Sequence, residues 1–302
     1  MQASQDVPQE LAPEAVGPTA GFGAPGAEIL RRPASRAKPI AGMHPTCEMI
    51  VSHHAVRGIP AMDAAWSQPF VVWPGRGSPV SLATWAREVR SFVAASLSPP
   101  SCPDDAARGQ GEPVIVVPAY LSPGSSTDAL RKFLLRQGFA AECWGCGMNL
   151  GPTRHSIEML DRRLRRTAEK HGRKVALVGL SLGGTLAREA AKRCPECVSR
   201  VVTLASPINM PVTTPLAPLA RLTALLWDGK AGDAIETLAE PPPVPLTAVV
   251  SPVDGVLDWR ACLPRPAPDV ETVLVADAHM TIASNPEVLR LIATRLAQPA
   301  EK

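Results

Sequence analysis

Two spacings of apolar residues divide this chain of 302 residues. From Pro113 onward, short runs of branched apolar residues predict strands at Val114–Val117, Ala140–Trp144, Lys174–Val178, Arg200–Ala205, Leu246–Val250 and Glu271–Val275. Helical spacing fills the intervals at about 127 to 137, 153 to 171 and 184 to 193, and a last helix begins at Asn285-Pro286. Strands that are apolar throughout, alternating with helices, predict a parallel sheet covered on both faces. Ligands then belong at the carboxyl ends of its strands.

Before residue 113 the pattern weakens. Residues 1–77 are rich in Pro, Gly and Ala with no sustained period, a composition that predicts a largely disordered arm. Within it, Phe70-Val-Val-Trp73 reads as a short strand or as a hydrophobic hook. Residues 78–112 read as an amphipathic helix and a linker. Ser78-Pro79 offers its start, and Leu82, Trp85, Val89, Phe92, Val93 and Leu97 form an apolar stripe expected to pack on the domain. Residues 113–302 are then expected to form one α/β domain. An irregular insertion at 207–243, with Leu216, Leu219, Leu222, Leu225, Leu226 and Trp227, is expected to be a small helical cap over the pocket.

Composition narrows the functional classes. A net charge of +3 with 20% charged residues provides no broad basic field, which argues against a nucleic-acid partner. No run of 18 apolar residues predicts a transmembrane segment, and no secretory leader is visible. Seven cysteines without a dense framework suit a reducing compartment, so a cytoplasmic location is expected. No partner is read for the arm.

The chemistry concentrates at Gly179-Leu-Ser181-Leu-Gly183, where an apolar strand passes directly into the helical pattern Thr185-Leu-Ala-Arg-Glu-Ala-Ala-Lys-Arg193. A G-x-S-x-G at such a junction is a nucleophile elbow, because the serine's strained backbone needs neighbours without Cβ atoms. A serine hydroxyl is a weak nucleophile at neutral pH, so it requires a histidine base and an acid to orient that base. His279 follows the last strand and is the expected base. Of the others, His44, His53 and His54 lie in the arm, His171 ends a helix at the far end of the sheet, and His155 opens one near the catalytic face. Asp254, in Ser251-Pro-Val-Asp-Gly-Val, is the expected acid, with Asp258 and Asp277 as alternatives. The oxyanion donors map onto the N–H of Leu182 and that of Ala119 or Tyr120, the latter being the only tyrosine.

The order Ser181, Asp254, His279, each after a strand, resembles the α/β-hydrolase superfamily of the esterase and lipase type over residues 113–298. Val-Gly-Leu-Ser-Leu-Gly-Gly and Thr-Leu-Ala-Ser-Pro207 resemble its bacterial lipase-like members. The first loop departs from the lipase pattern, with Val117-Pro-Ala-Tyr120 where many lipases carry His-Gly, and Leu180 stands where a histidine is frequent. The resemblance implies an α/β fold of about six strands and a serine hydrolase of carboxylic esters, with substrates at least partly apolar if the cap is present. It needs no metal or organic cofactor. Acyl transfer or thioester hydrolysis would use the same residues, and a non-catalytic scaffold on the same fold is the alternative from another class.

Two C-x-x-C pairs invite a zinc reading. Cys143 and Cys146 end a strand on the catalytic face, whereas Cys194 and Cys197 follow the elbow helix at the opposite end of the sheet, so a joint site is not expected. Cys143 and Cys146 alone remain a conceivable redox pair. The arginines at 162, 163, 165 and 166 alternate with acids and read as a solvated face.

Overall fold

The computed structural model describes residues 82–97, 102–209, 214 and 238–299. The expected arm, its Phe70–Trp73 segment, the start of the first helix and most of the cap insertion lie outside the described residues.

After helix α1 (Leu82–Leu97) the chain alternates strictly: β1 (Pro113–Val117), α2 (Asp128–Arg136), β2 (Ala140–Cys143), α3 (Arg154–His171), β3 (Val175–Leu180), α4 (Leu182–Arg193) and β4 (Val198–Leu204). Then come β5 (Leu246–Val250), β6 (Val270–Leu274) and α5 (Pro286–Leu296). The six strands pair in parallel in the order β2-β1-β3-β4-β5-β6. Every strand expected from the sequence is present, with ends displaced by two residues at most.

The pleat explains the two helical layers. Val114, Val116, Ala176, Val178, Val202 and Val249 point to one face, where α2 and α5 cover them with Phe133, Leu134, Leu289 and Ile292. Ile115, Val117, Val175, Leu177 and Val201 point to the other, against Leu160 and Leu164 of α3 and Ala187 and Ala190 of α4. Each of these larger side chains contributes about 2 kcal/mol by leaving water. Local signals set the helix ends. Thr153 caps α3 by accepting from the Ser156 N–H at 3.1 Å, and Asn285 caps α5 by accepting from the Glu287 N–H at 2.8 Å ahead of the first-turn Pro286.

Register aligns the strand ends. Val117 pairs with Gly179, Leu180 with Leu204, Leu204 with Val249, and Val250 with Leu274. The segments that leave β1, β3, β4, β5 and β6 therefore emerge along one carboxyl edge. The chain order reverses between β1 and β3, which opens a crevice beside the end of β3.

Helix α1 departs from expectation. Its apolar stripe was expected to face the domain, yet Trp85, Val89, Phe92, Val93 and Leu97 are exposed, Leu97 by 82%. The opposite face is the one engaged, with Glu88 only 1% exposed and Thr84, Arg87 and Ser91 partly buried. The helix meets the loops after β5 and β6 at the carboxyl edge. Among the described residues, no helix is long and apolar enough to cross a membrane.

Candidate active site

Ser181 sits between β3 and α4 with φ 50° and ψ −127°, a conformation rare for any residue with a side chain. Its surroundings impose it. The Ser181 N–H donates to the Leu204 carbonyl at 2.8 Å, and the Ser181 carbonyl accepts from the Gly184 N–H at 2.9 Å. Space is closed on three sides. A Cβ on Gly179 would lie 2.3 Å from the Gly184 Cα, one on Gly183 2.3 Å from the Pro118 oxygen, and one on Gly184 2.0 Å from the Ser206 Oγ. Gly183 thus lets the end of β1 and the start of α4 touch, so the loop after β1 borders Ser181.

Asp254 and His279 meet across the neighbouring strands. The Asp254 Oδ2 lies 2.6 Å from the His279 Nδ1, with the two side chains 1% and 9% exposed. The other oxygen, Oδ1, accepts from the Val256 and Leu257 N–H groups at 2.7 and 2.8 Å, which fixes the carboxylate plane. Where Nδ1–H donates to this carboxylate, Nε2 is left as the unprotonated ring nitrogen.

A profile of the alpha/beta hydrolase family matches residues 120–301. The chain belongs to the alpha/beta hydrolase family. Similar solved structures include a monoacylglycerol lipase from Paleococcus ferrophilus, 18% identical, covering 62% of this chain and 96% of that one, with a TM-score of 0.47. The carboxylesterase EstE1 from a metagenomic library is 15% identical over 74% of this chain and 99% of its own, with a TM-score of 0.49. The pyrethroid hydrolase PytH is 19% identical over 64% of this chain and 100% of its own, with a TM-score of 0.46. A comparison with curated protein sequences finds no match.

In this alpha/beta hydrolase family member Asp258 and Asp277, the other acids the sequence offered, are engaged elsewhere. Asp258 caps the 3-10 turn Trp259–Cys262 by accepting from the Arg260 N–H at 3.1 Å. Asp277 shapes the histidine loop. Its Oδ1 accepts from the Ala278 N–H at 2.7 Å and the Thr281 hydroxyl at 2.8 Å, and its Oδ2 accepts from the Asn285 amide at 2.8 Å. His155 lies exposed in the first turn of α3.

The loop after β1, which carries Ala119 and Tyr120, is held by a residue the sequence did not single out. Asn149 is fully buried; its Nδ2 donates to the Pro118 carbonyl at 2.8 Å, and its backbone carbonyl accepts from the Leu121 N–H at 2.7 Å. Leu121 takes φ 55° to make this turn. Leu182 opens α4 as its first residue, where a backbone N–H has no intrahelical acceptor.

A buried cation braces the helix that follows Ser181. The guanidinium of Arg188, fully buried on α4, donates to the carbonyls of Leu238 at 2.8 Å and Glu240 at 2.9 Å, and burial lowers its pKa to about 10. It ties the elbow helix to the chain where it returns from the insertion. Cys194 and Cys197 are joined as a disulfide, whereas Cys143 and Cys146 are free thiols. Burial, reinforced by Cys143, pushes the Cys146 thiol up to about 11, which opposes the thiolate that redox chemistry requires.

The residue most poorly anticipated is Glu88. It lies on the helix whose apolar stripe was expected to pack on the domain, yet it reaches both the Asp254 loop and the His279 loop. Gly255 makes room for this approach: a Cβ there would fall 2.5 Å from the Glu88 Cγ and 2.6 Å from the Thr84 oxygen.

Proposed function

We propose that this protein is a serine hydrolase that cleaves carboxylic esters through an acyl-enzyme on Ser181. The observation that carries the reading is the strained backbone of Ser181 at the β3–α4 junction, φ 50° and ψ −127°. Strain of this kind costs about 1–3 kcal/mol and persists where the surroundings enforce it for a purpose.

The steps follow from the side chains. The Nε2 of His279 takes the Ser181 Oγ proton as that oxygen attacks the ester carbonyl carbon. The resulting oxyanion accepts from the Leu182 N–H and from the N–H of Ala119 or Tyr120, each donor lowering the barrier by about 3 kcal/mol. Asp254 stabilises the imidazolium through its 2.6 Å contact with Nδ1. That imidazolium gives its proton to the departing alkoxide as the carbon–oxygen bond breaks, leaving the acyl group on Ser181. Water, deprotonated by His279, then attacks the acyl carbon and releases the acid, and the proton returns to Ser181.

Substrates at least partly apolar fit the exposed Met280 beside His279 and Met148 beside the oxyanion loop, 49% and 53% exposed. The test is labelling of the full chain by a fluorophosphonate, compared with Ser181→Ala. Stoichiometric labelling that vanishes in the variant, followed by turnover in a p-nitrophenyl ester chain-length series, is the expected result. A folded wild type that neither labels nor turns over any ester in the series overturns it.

A further inference from the structure

We propose that Glu88 is a positioning residue that sets the Asp254–His279 pair by holding together the two loops that carry it, an inference that rests on the triad reading above. One carboxylate spans both loops. Its Oε1 accepts from the Gly255 N–H at 2.7 Å and the His279 N–H at 2.8 Å, while Oε2 accepts from the Met280 N–H at 3.2 Å. Gly255 directly follows the acid and Met280 directly follows the base. The contact is also remote in sequence, 167 residues from Gly255 and 191 from His279.

The choice of docking face supports the inference. Helix α1 carries Trp85, Val89, Phe92 and Val93, which would bury well, yet it presents Glu88 to the domain at 1% exposure and leaves the apolar side in solvent. Burying a carboxylate is costly unless its oxygens are saturated with donors. What such bonds provide beyond apolar packing is direction: they fix amides, and with them the loops, to within tenths of an ångström. Arg87 adds a second tie by donating to the Val253 carbonyl, one residue before Asp254. Gly255 completes the fit, since any side chain there would push α1 away.

The test uses the full chain with Glu88→Ala and the isosteric Glu88→Gln, read two ways. The first reading is the low-field proton resonance of the His279 Nδ1–H, assigned by its disappearance in Asp254→Asn. The second is the split of kcat and KM on a short p-nitrophenyl ester. Glu88→Ala is expected to broaden or shift the resonance and to lower kcat about 100-fold, the scale of a misplaced catalytic group, with KM within about twofold. Glu88→Gln keeps the volume and the Oε1 acceptor but opposes Met280 with an N–H group, so kcat falls roughly three- to tenfold.

A purely structural role would lower the melting temperature while leaving the resonance and kcat unchanged, and that result overturns the proposal. If Glu88→Ala does not fold, the Gln variant decides by the same criteria. If the wild type turns over no ester, the resonance alone decides: an unchanged signal in both variants overturns the role of Glu88 independently of the hydrolase reading.

Discussion

The two halves of the candidate active site are built on opposite plans. The Ser181 half is local: the residue is shaped by neighbours within a few positions and by the ends of β1 and β4, through close contacts at Gly179, Gly183 and Gly184. The Asp254–His279 half is assembled at a distance, from the loops after β5 and β6, whose backbone amides donate to a glutamate on a helix that precedes the sheet altogether. The difference is one of tolerance. Steric exclusion leaves the elbow a single conformation, whereas hydrogen bonds hold the other half only as firmly as their donors and acceptors remain matched.

The contrast can be broken from either side. Ser181→Ala should lower kcat/KM by about 10⁴-fold or more while the melting temperature stays within a few degrees, measured by ester hydrolysis and calorimetry. Asp254→Asn should keep the fold yet cost about 10³- to 10⁴-fold in kcat, because an amide favours the wrong imidazole tautomer. Gly183→Ala addresses the steric plan. Its methyl group meets the backbone oxygens of Val117 and Pro118, so a loss of about 3 kcal/mol in urea unfolding is expected, with activity lost alongside.

The smallest effect serves as the control for Glu88. Glu142, at the end of β2, accepts from Lys170 at 2.6 Å and from Arg163 at 2.8 Å, so it is matched by side-chain cations and not by the backbone of a catalytic loop. Burial would raise its carboxyl, but the bonds from Lys170 and Thr167 and the charge of Arg163 outweigh that and hold it below the usual value. A lowered folded-state pKa contributes stability above the unfolded-state value and loses it as pH falls through the folded one. Glu142→Gln should therefore cost about 1 kcal/mol at pH 7, and its stability should converge with that of wild type as pH falls through the lowered folded-state value, with kcat unaffected throughout.

The sheet was legible because its strands are apolar on both faces and its helices keep their spacing, so period and order together led to six parallel strands. Ser181 was legible for a related reason: the elbow's requirement for glycine is written within five residues. Asp254 and His279 were singled out by their rank after the strands, and the fold brings their side chains to 2.6 Å of each other. Glu88 and Asn149 were not found. A buried glutamate and a surface glutamate have the same neighbours in sequence, and only the fold reveals that three amides converge on one of them. The apolar stripe of α1 misled for the same reason, since helical spacing identifies a face without saying which face is covered.

The outward stripe of α1 has a consequence for unfolding. Denaturant sensitivity and heat capacity both scale with the apolar surface that a transition uncovers. Among the described side chains of α1, release would uncover Glu88 and the partly buried Thr84, Arg87 and Ser91, so its detachment should show a shallow dependence on urea and little heat-capacity change. Activity should therefore fade gradually at urea concentrations where the circular dichroism of the sheet is still that of the folded protein. Loops fastened by polar contacts are then expected to come apart before the sheet that carries them.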